Sequence, residues 1–200
     1  MIEGRPIYAN WWSKSKLADV IVFDLDGTLV DSDNANLLSY EAAAMNVLSR
    51  QVQINVEPGV RITRETLSEL IPGIRNEQLK AIVMQKESMY QKYLSKTIVN
   101  VQLLDIIENS KNKKIILATN SRRLRADMLL DHHGLTDKFV KKFYRDAVNP
   151  RDKYIRFIPE IRKEGKSIVV FENDADAIES AIKCGIKYDQ IINVCRSECE

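Results

Sequence analysis

Short apolar runs alternate with amphipathic stretches along this 200-residue chain. Val20-Ile21-Val22-Phe23 is a β-branched and aromatic run, the composition of a buried strand. Four later runs carry the same signal: Ile115-Ile116-Leu117-Ala118, Phe139–Tyr144, Ser167–Phe171 and Ile191–Val194. Helical spacing fills the gaps. Asp33 or Asn34 caps a helix to about Arg50, with Leu37, Leu38, Ala42, Met45 and Leu48 on its apolar face. Thr63 starts a second helix, with Thr66, Leu67, Leu70 and Ile71 on one face, and Pro72-Gly73 stops it. A long third helix runs from Asn76 to about Ser95, with Leu79, Ile82, Val83, Met89, Tyr90 and Tyr93 as core. Val101–Asn109 is a short amphipathic helix. An Arg- and Leu-rich helix follows the second strand and stops at Gly134, a good residue for a left-handed end. Ala175–Cys184 is the last helix. Residues 1–17 read as polar and broken, apart from Trp11-Trp12, which pack on the flank of the domain.

Strands that alternate with helices predict a parallel sheet with right-handed crossovers. Residues 33–96 interrupt that alternation as a purely helical insert. The predicted organisation is an N-terminal extension over 1–17, an α/β core over 18–32 and 97–200, and a helical domain over 33–96.

Composition narrows the function only a little. Hydrophobic residues make up 44% of the chain, enough for a substantial core. Thirty basic and 28 acidic residues leave a net charge of +2, which gives no strong reason to invoke nucleic acid. Arg122-Arg123-Leu124-Arg125 reads as a solvated helix face. His132 and His133 fall in the last turn of their helix, where cations complement the dipole. No apolar run reaches the roughly 20 residues that span a bilayer. Cys184, Cys195 and Cys199 form no disulfide framework, so a reducing, cytoplasmic location is expected.

The chemistry gathers at three strand ends. Asp24 and Asp26 are two positions apart, so a persisting strand aims both carboxylates the same way. Gly27 follows, where the chain can turn sharply. Thr119-Asn120-Ser121 ends the second strand, and Glu172-Asn173-Asp174 ends the fourth. A parallel sheet brings all three clusters to one edge, where open α/β sheets hold ligands.

The run DLDGTLVDS resembles DxDGTLxDS, the first motif of the haloacid dehalogenase superfamily of aspartate-nucleophile phosphotransferases. ATNSRRLRADMLLDHHGLTDKF is similar to the stretch after that family's second strand. FENDADAIESAIKCGI is similar to its FEDSxxGIxAAxxAGI pattern. The resemblance covers about residues 18–195 and points to the branch of phosphoglycolate phosphatases and beta-phosphoglucomutases. It implies a Rossmann-like parallel-sheet core with a small α-helical cap inserted after the first motif. It implies Asp24 as nucleophile and Asp26 as general acid and base. Mg²⁺ is then held by Asp24, by the backbone carbonyl of Asp26 and by the Glu172, Asn173 and Asp174 cluster. Thr119 and nearby N–H groups hold the phosphate, with Asn120 beside them as a substrate-binding residue. Arg75, in the turn between two cap helices, is the candidate for the leaving group.

Two positions depart from the family pattern. Its third motif supplies a lysine, often in a Lys-Pro pair, and Asn149-Pro150 stands there. Lys153 or Arg151 could reach the site instead, and Lys153→Ala is then expected to lower turnover with little loss of fold. Asn173 stands where the family has a metal-binding Asp, with Asp174 and Asp176 as neighbours that could compensate. The expected activity is Mg²⁺-dependent hydrolysis of a small phosphorylated metabolite through an aspartyl-phosphate, by a monomer or homodimer. A sugar phosphomutase is the second enzyme reading. A binding or regulatory module is the third; Asn149 and Asn173 favour it, and intact Asp24, Asp26 and Thr119 oppose it.

Overall fold

The computed structural model describes residues 6–56, 62, 64–145 and 153–194. In chain order the first elements are helix α1 (Pro6–Leu17), strand β1 (Val20–Phe23), the short β2 (Val30–Asp31), and helices α2 (Asp33–Leu48), α3 (Arg64–Leu70) and α4 (Asn76–Met89). The short β3 (Ile98–Val99), α5 (Val101–Asn109), β4 (Lys114–Ala118), α6 (Arg123–His132) and β5 (Lys141–Phe143) come next. Helix α7 (Lys153–Ile161), β6 (Ile168–Glu172), α8 (Ala175–Lys183) and β7 (Ile191–Asn193) follow. The chain divides into two compact units, Met1–Val30 with Val99–Glu200, and Asp31–Ile98. No helix among the described residues is long and apolar enough to cross a membrane.

The first unit is built on a parallel five-stranded sheet in the order β5-β4-β1-β6-β7. β1 is central and buried along its whole length, as its unbroken apolar run requires. The register pairs Phe23 with Leu117 on one side and with Phe171 on the other. Asp24, Thr119 and Glu172 therefore leave the sheet at the same edge. On one face Val20, Val22, Ile116, Ala118, Ile168 and Val170 meet α7 and α8 through Tyr154, Phe157, Ile158, Ala177 and Ala181. Side chains alternate across a strand, so Phe23 and Phe171 point the other way and stack at 4.9 Å.

Residues 1–17 differ from expectation. Pro6–Leu17 is a helix, and Trp11 is buried edge-on against Phe171 with ring centroids 5.9 Å apart. Tyr8 donates its hydroxyl to Asp105 of α5; burial, then Asp105, raises its pKa to about 12. The pattern hid this helix because its buried positions include Ser15, whose hydroxyl returns to the Trp11 carbonyl at 2.8 Å. Trp11→Ala is expected to cost about 3–5 kcal/mol in urea unfolding, as large-to-small changes of buried aromatics do. A loss under about 1 kcal/mol would mean that α1 adds nothing to the core.

At the end of α6, His132 stands in the last turn as expected, and His133 is the C-cap residue. Burial, then the neighbouring His132, pushes His133 below the usual imidazole range. The chain turns at Gly134 with φ +66°. Cys184 is half-buried; Cys195 and Cys199 lie outside the described residues.

The second unit is helical. Its core joins Tyr40, Ala43 and Ala44 of α2, Leu67 of α3, Leu79 and Ile82 of α4, and Ile54, Ile62 and Ile71. α2 runs close to its expected length, and Leu37 and Leu48 pack partly buried against this core as expected, but its capping residue and its most buried positions are others. Ser32, rather than Asp33 or Asn34, stands at the N-cap. The buried residues are Ala35, Asn36, Ser39, Tyr40, Ala43 and Ala44, while Met45 is exposed. The third predicted helix ends in tightened form: α4 stops at Met89 and a 3-10 helix continues over Tyr90–Lys96. Leu67 and Ile71 are buried as expected, whereas Thr63 lies outside the described residues.

Candidate active site

β1 delivers Asp24 and then breaks. Asp24 keeps one ladder bond, its N–H donating to the Phe171 carbonyl at 3.0 Å. Gly27 takes φ +83°, a left-handed conformation that glycine adopts without strain. The loop closes on itself through Gly27 N–H to Val30 O at 2.8 Å and Val30 N–H to Leu25 O at 2.9 Å. Both carboxylates of the pair are buried, Asp24 at 5% and Asp26 at 7% exposure.

Each carboxylate has its own cation. Lys153, the first residue of α7, is 1% exposed. Its ammonium lies 2.6 Å from Asp24 Oδ1 and 2.6 Å from Glu172 Oε2. The Tyr154 hydroxyl also donates to Glu172 Oε2, at 2.8 Å. Glu172 Oε1 accepts the N–H groups of Asn173 and Asp174 at 3.1 and 3.2 Å. Glu172 is thus held by four protein donors, and its evident work is to anchor Lys153. This burial argues against the expectation that Lys153 can be replaced with little loss of fold. Burial, then Glu172, raises Asp24 to about 7 against the pull of Lys153. Burial opposes the charge on Lys153, but Asp24 and Glu172 prevail and raise its pKa. Tyr154 is raised well above the phenol range by burial, then by Glu172 and Asp24.

Asp26 is held from the other side. The Ser121 hydroxyl donates to Asp26 Oδ2, and Arg125 Nη2 lies 2.5 Å from Asp26 Oδ1. Arg125 belongs to the basic run that reads as solvated. Arg122 and Arg123 are exposed, but Arg125 turns inward with a side chain only 12% exposed. Thr119 is buried, and its Oγ1 accepts the Ser121 N–H at 3.0 Å. Asn120 stands between them, half-buried. The N-cap position of α6 falls on Arg122, so Thr119-Asn120-Ser121 precedes the helix rather than capping it.

The remaining candidates divide. Asn173 Oδ1 accepts the Thr28 hydroxyl at 3.0 Å, which ties the loop after β1 to the end of β6. Asp174 caps α8, its Oδ1 accepting the Ala177 N–H at 3.0 Å. Asp176 is exposed in the first turn of α8. Arg75 is an exposed residue of the helical unit, at the N-cap of α4. Asn149, Pro150 and Arg151 lie outside the described residues. Among the described residues, no group of three or more His, Cys, Asp or Glu side chains is arranged to hold a metal ion.

Sequence reasoning named Ser121 only as part of its cluster and missed Arg125, Tyr154 and Thr28. Only Arg125 left a usable signal: it lies four residues after Ser121, the spacing that aligns two side chains along one helical face.

The assembled site is a buried carboxylate beside a buried ammonium, with a second carboxylate two residues on, oriented by a hydroxyl and a guanidinium. The haloacid dehalogenase-like hydrolase family model matches residues 21–190. CbbY from Rhodobacter sphaeroides, solved with phosphate, superposes with a TM-score of 0.70 at 15% identity, covering 90% of this chain and 88% of that one. A haloacid dehalogenase-like hydrolase from Streptococcus pneumoniae gives 0.67 at 16% identity, covering 85% and 82%. A superfamily hydrolase from Geobacter sulfurreducens gives 0.66 at 16%, covering 84% of each chain. These likenesses establish a shared fold, and the family match extends over most of the chain. The chain belongs to the haloacid dehalogenase-like hydrolase family.

Proposed function

We propose that this protein hydrolyses the phosphate monoester of a small metabolite through a covalent intermediate on Asp24. The observation that carries this reading is the pair of buried carboxylates, each bound to its own cation, at the carboxyl end of the central strand. An anionic nucleophile reaches a phosphate dianion only where fixed positive charge offsets the repulsion. Lys153 supplies that charge to Asp24. A carboxylate oxygen of Asp24 attacks phosphorus as the bond to the leaving oxygen breaks. Asp26 gives that oxygen its proton, then takes one from water. The water oxygen attacks phosphorus, the bond to Asp24 breaks, and inorganic phosphate leaves. The Thr119 hydroxyl and the N–H groups before α6 hold the phosphate oxygens. The helical unit serves as the cap that selects the alcohol, with Arg75 as its candidate contact.

Asp24, the Asp26 backbone carbonyl and the Asn173 side chain offer oxygen ligands, the kind a hard divalent cation takes. Asp24, the Asp26 backbone carbonyl and Asn173 would hold Mg²⁺, which supplies charge neutralisation on the phosphoryl oxygens. Glu172, fully engaged, and Asp174, a helix cap, would support the site indirectly. Asn173→Asp is expected to tighten Mg²⁺ binding about tenfold, since one more charge is worth at least ~1 kcal/mol at close range. Calorimetric titration measures this, and an unchanged affinity removes position 173 from the metal shell.

CbbY, which shares the fold, has been solved with phosphate and, as a mutant, with xylulose-(1,5)bisphosphate. This supports a phosphorylated small molecule as the substrate class here. The test is phosphate release from a panel of small phosphate esters with and without Mg²⁺, alongside Asp24→Asn. Release that needs both the metal and Asp24 supports the reading. Release that survives Asp24→Asn overturns it.

A further inference from the structure

Both oxygens of the Asp26 carboxylate are held by one segment of chain. Ser121 and Arg125 flank the start of α6, and they grip Oδ2 and Oδ1 respectively. Asp26 is 95 residues from the first and 99 from the second, so the grip is made entirely by the fold. All three side chains are largely withdrawn from solvent. Neither Ser121 nor Arg125 is needed to hold phosphate in the proposed mechanism. Arg125 is moreover a guanidinium carried almost out of water, an arrangement that is costly unless its partner is fixed.

From this we infer that Arg125 is a positioning residue that, with Ser121, fixes the plane of the Asp26 carboxyl for proton transfer to and from the substrate. The inference rests on the phosphohydrolase reading and deepens it. In the first step the Asp26 O–H proton passes to the ester oxygen while the phosphorus–oxygen bond breaks, and that oxygen leaves as an alcohol. In the second step a water proton returns to the same carboxylate. Both transfers need the carboxyl oxygen within hydrogen-bond reach of a small target. A carboxyl free to rotate about its side-chain bonds loses that placement, and displacements near 1 Å cost about a hundredfold. Lysine at position 125 keeps the charge but loses the planar fork.

The test uses the leaving group. A p-nitrophenolate leaves without a proton, whereas an alkoxide does not. The ratio kcat/KM reports the steps through the first phosphoryl transfer. Arg125→Met is expected to lower kcat/KM for an alkyl phosphate about a hundredfold and to leave p-nitrophenyl phosphate within about threefold of the parent. Arg125→Lys recovers part of the loss. In an Asp26→Asn background, Arg125→Met adds nothing, because a residue that acts through Asp26 has no further effect once Asp26 is gone. Calorimetric Mg²⁺ affinity stays at the parent value throughout. Equal losses on the two esters, a gain on the alkyl ester, or a full additional loss in the Asp26→Asn background each overturn the role of Arg125. Failure of the parent itself to show Asp24-dependent release overturns the phosphohydrolase reading and this role together, so the two failures are separable.

Discussion

Replacing Asp24 by asparagine is expected to abolish phosphate release and, in the same stroke, to stabilise the metal-free protein at alkaline pH. Asp24, Glu172 and Lys153 bury two carboxylates around one ammonium. Burial, then Glu172, raises Asp24 to about 7 against the pull of Lys153. In the unfolded chain the same carboxyl titrates at about 3.9. The folded state therefore keeps a proton that the unfolded state releases. That stabilising contribution is full below about pH 4, is lost progressively as pH rises through about 7, and is absent above. Asparagine has no charge to bury and escapes the loss. The gap of about three pKa units sets a ceiling of about 4 kcal/mol on the gain. Urea unfolding in EDTA at pH 4 and pH 8 reads it directly. The variant's stability relative to the parent grows between those two values. A difference that stays constant or reverses would show that Lys153 compensates Asp24 fully. On the catalytic side, loss of the nucleophile costs on the order of 10³-fold or more. Active sites commonly trade stability for reactive groups in this way.

The second large effect falls on Lys153. Lys153→Met removes the one ammonium that bridges Asp24 and Glu172. Breaking a buried pair by deleting one partner costs about 3–5 kcal/mol, because the remaining charge is left uncompensated. Here two carboxylates remain together, so one of them takes up a proton and the loss is greatest at alkaline pH. Phosphate release falls with it, since the nucleophile loses the charge that lets it approach a phosphate. Adding Glu172→Gln restores much of the stability by removing the second carboxylate, but it does not restore turnover. That separation tells a catalytic cation from a merely structural one. A Lys153→Met protein as stable as the parent would mean that the ammonium does not reside between the two acids.

The readings that held came from local information. The apolar run of β1 and the glycine after it are properties of one short segment, where strand sterics are legible. The two-residue step is not strand periodicity: β1 ends at Phe23, and the turn that follows, not a continuing strand, carries Asp26. The alternation of strands and helices likewise predicts the parallel sheet, because crossover connections leave few other topologies. The helices over Val101–Asn109 and from Asn76 announced themselves by spacing.

What failed was decided at a distance. Two of the arginines in the run from 122 to 125 are solvated, and the third closes on a carboxylate 99 residues earlier in the chain. Lys153 is a candidate already in the sequence, but its burial is not legible there; it comes from packing α7 under β1 and β6, which brings Asp24 from 129 residues away. In α2 the buried positions include Ala35, Tyr40, Ala43 and Ala44, while Leu37 and Leu48 pack only partly buried on the helical core, a division that helical spacing alone does not fix. α1 has few apolar positions, and only the ring of Phe171 makes Trp11 part of the core. The sequence by itself determined the family, the sheet and the carboxylate pair, because each is written in residues that are neighbours along the chain. Only the tertiary structure decided which cations serve those carboxylates, because pairing buried charges depends on distances that the fold sets and spacing does not carry.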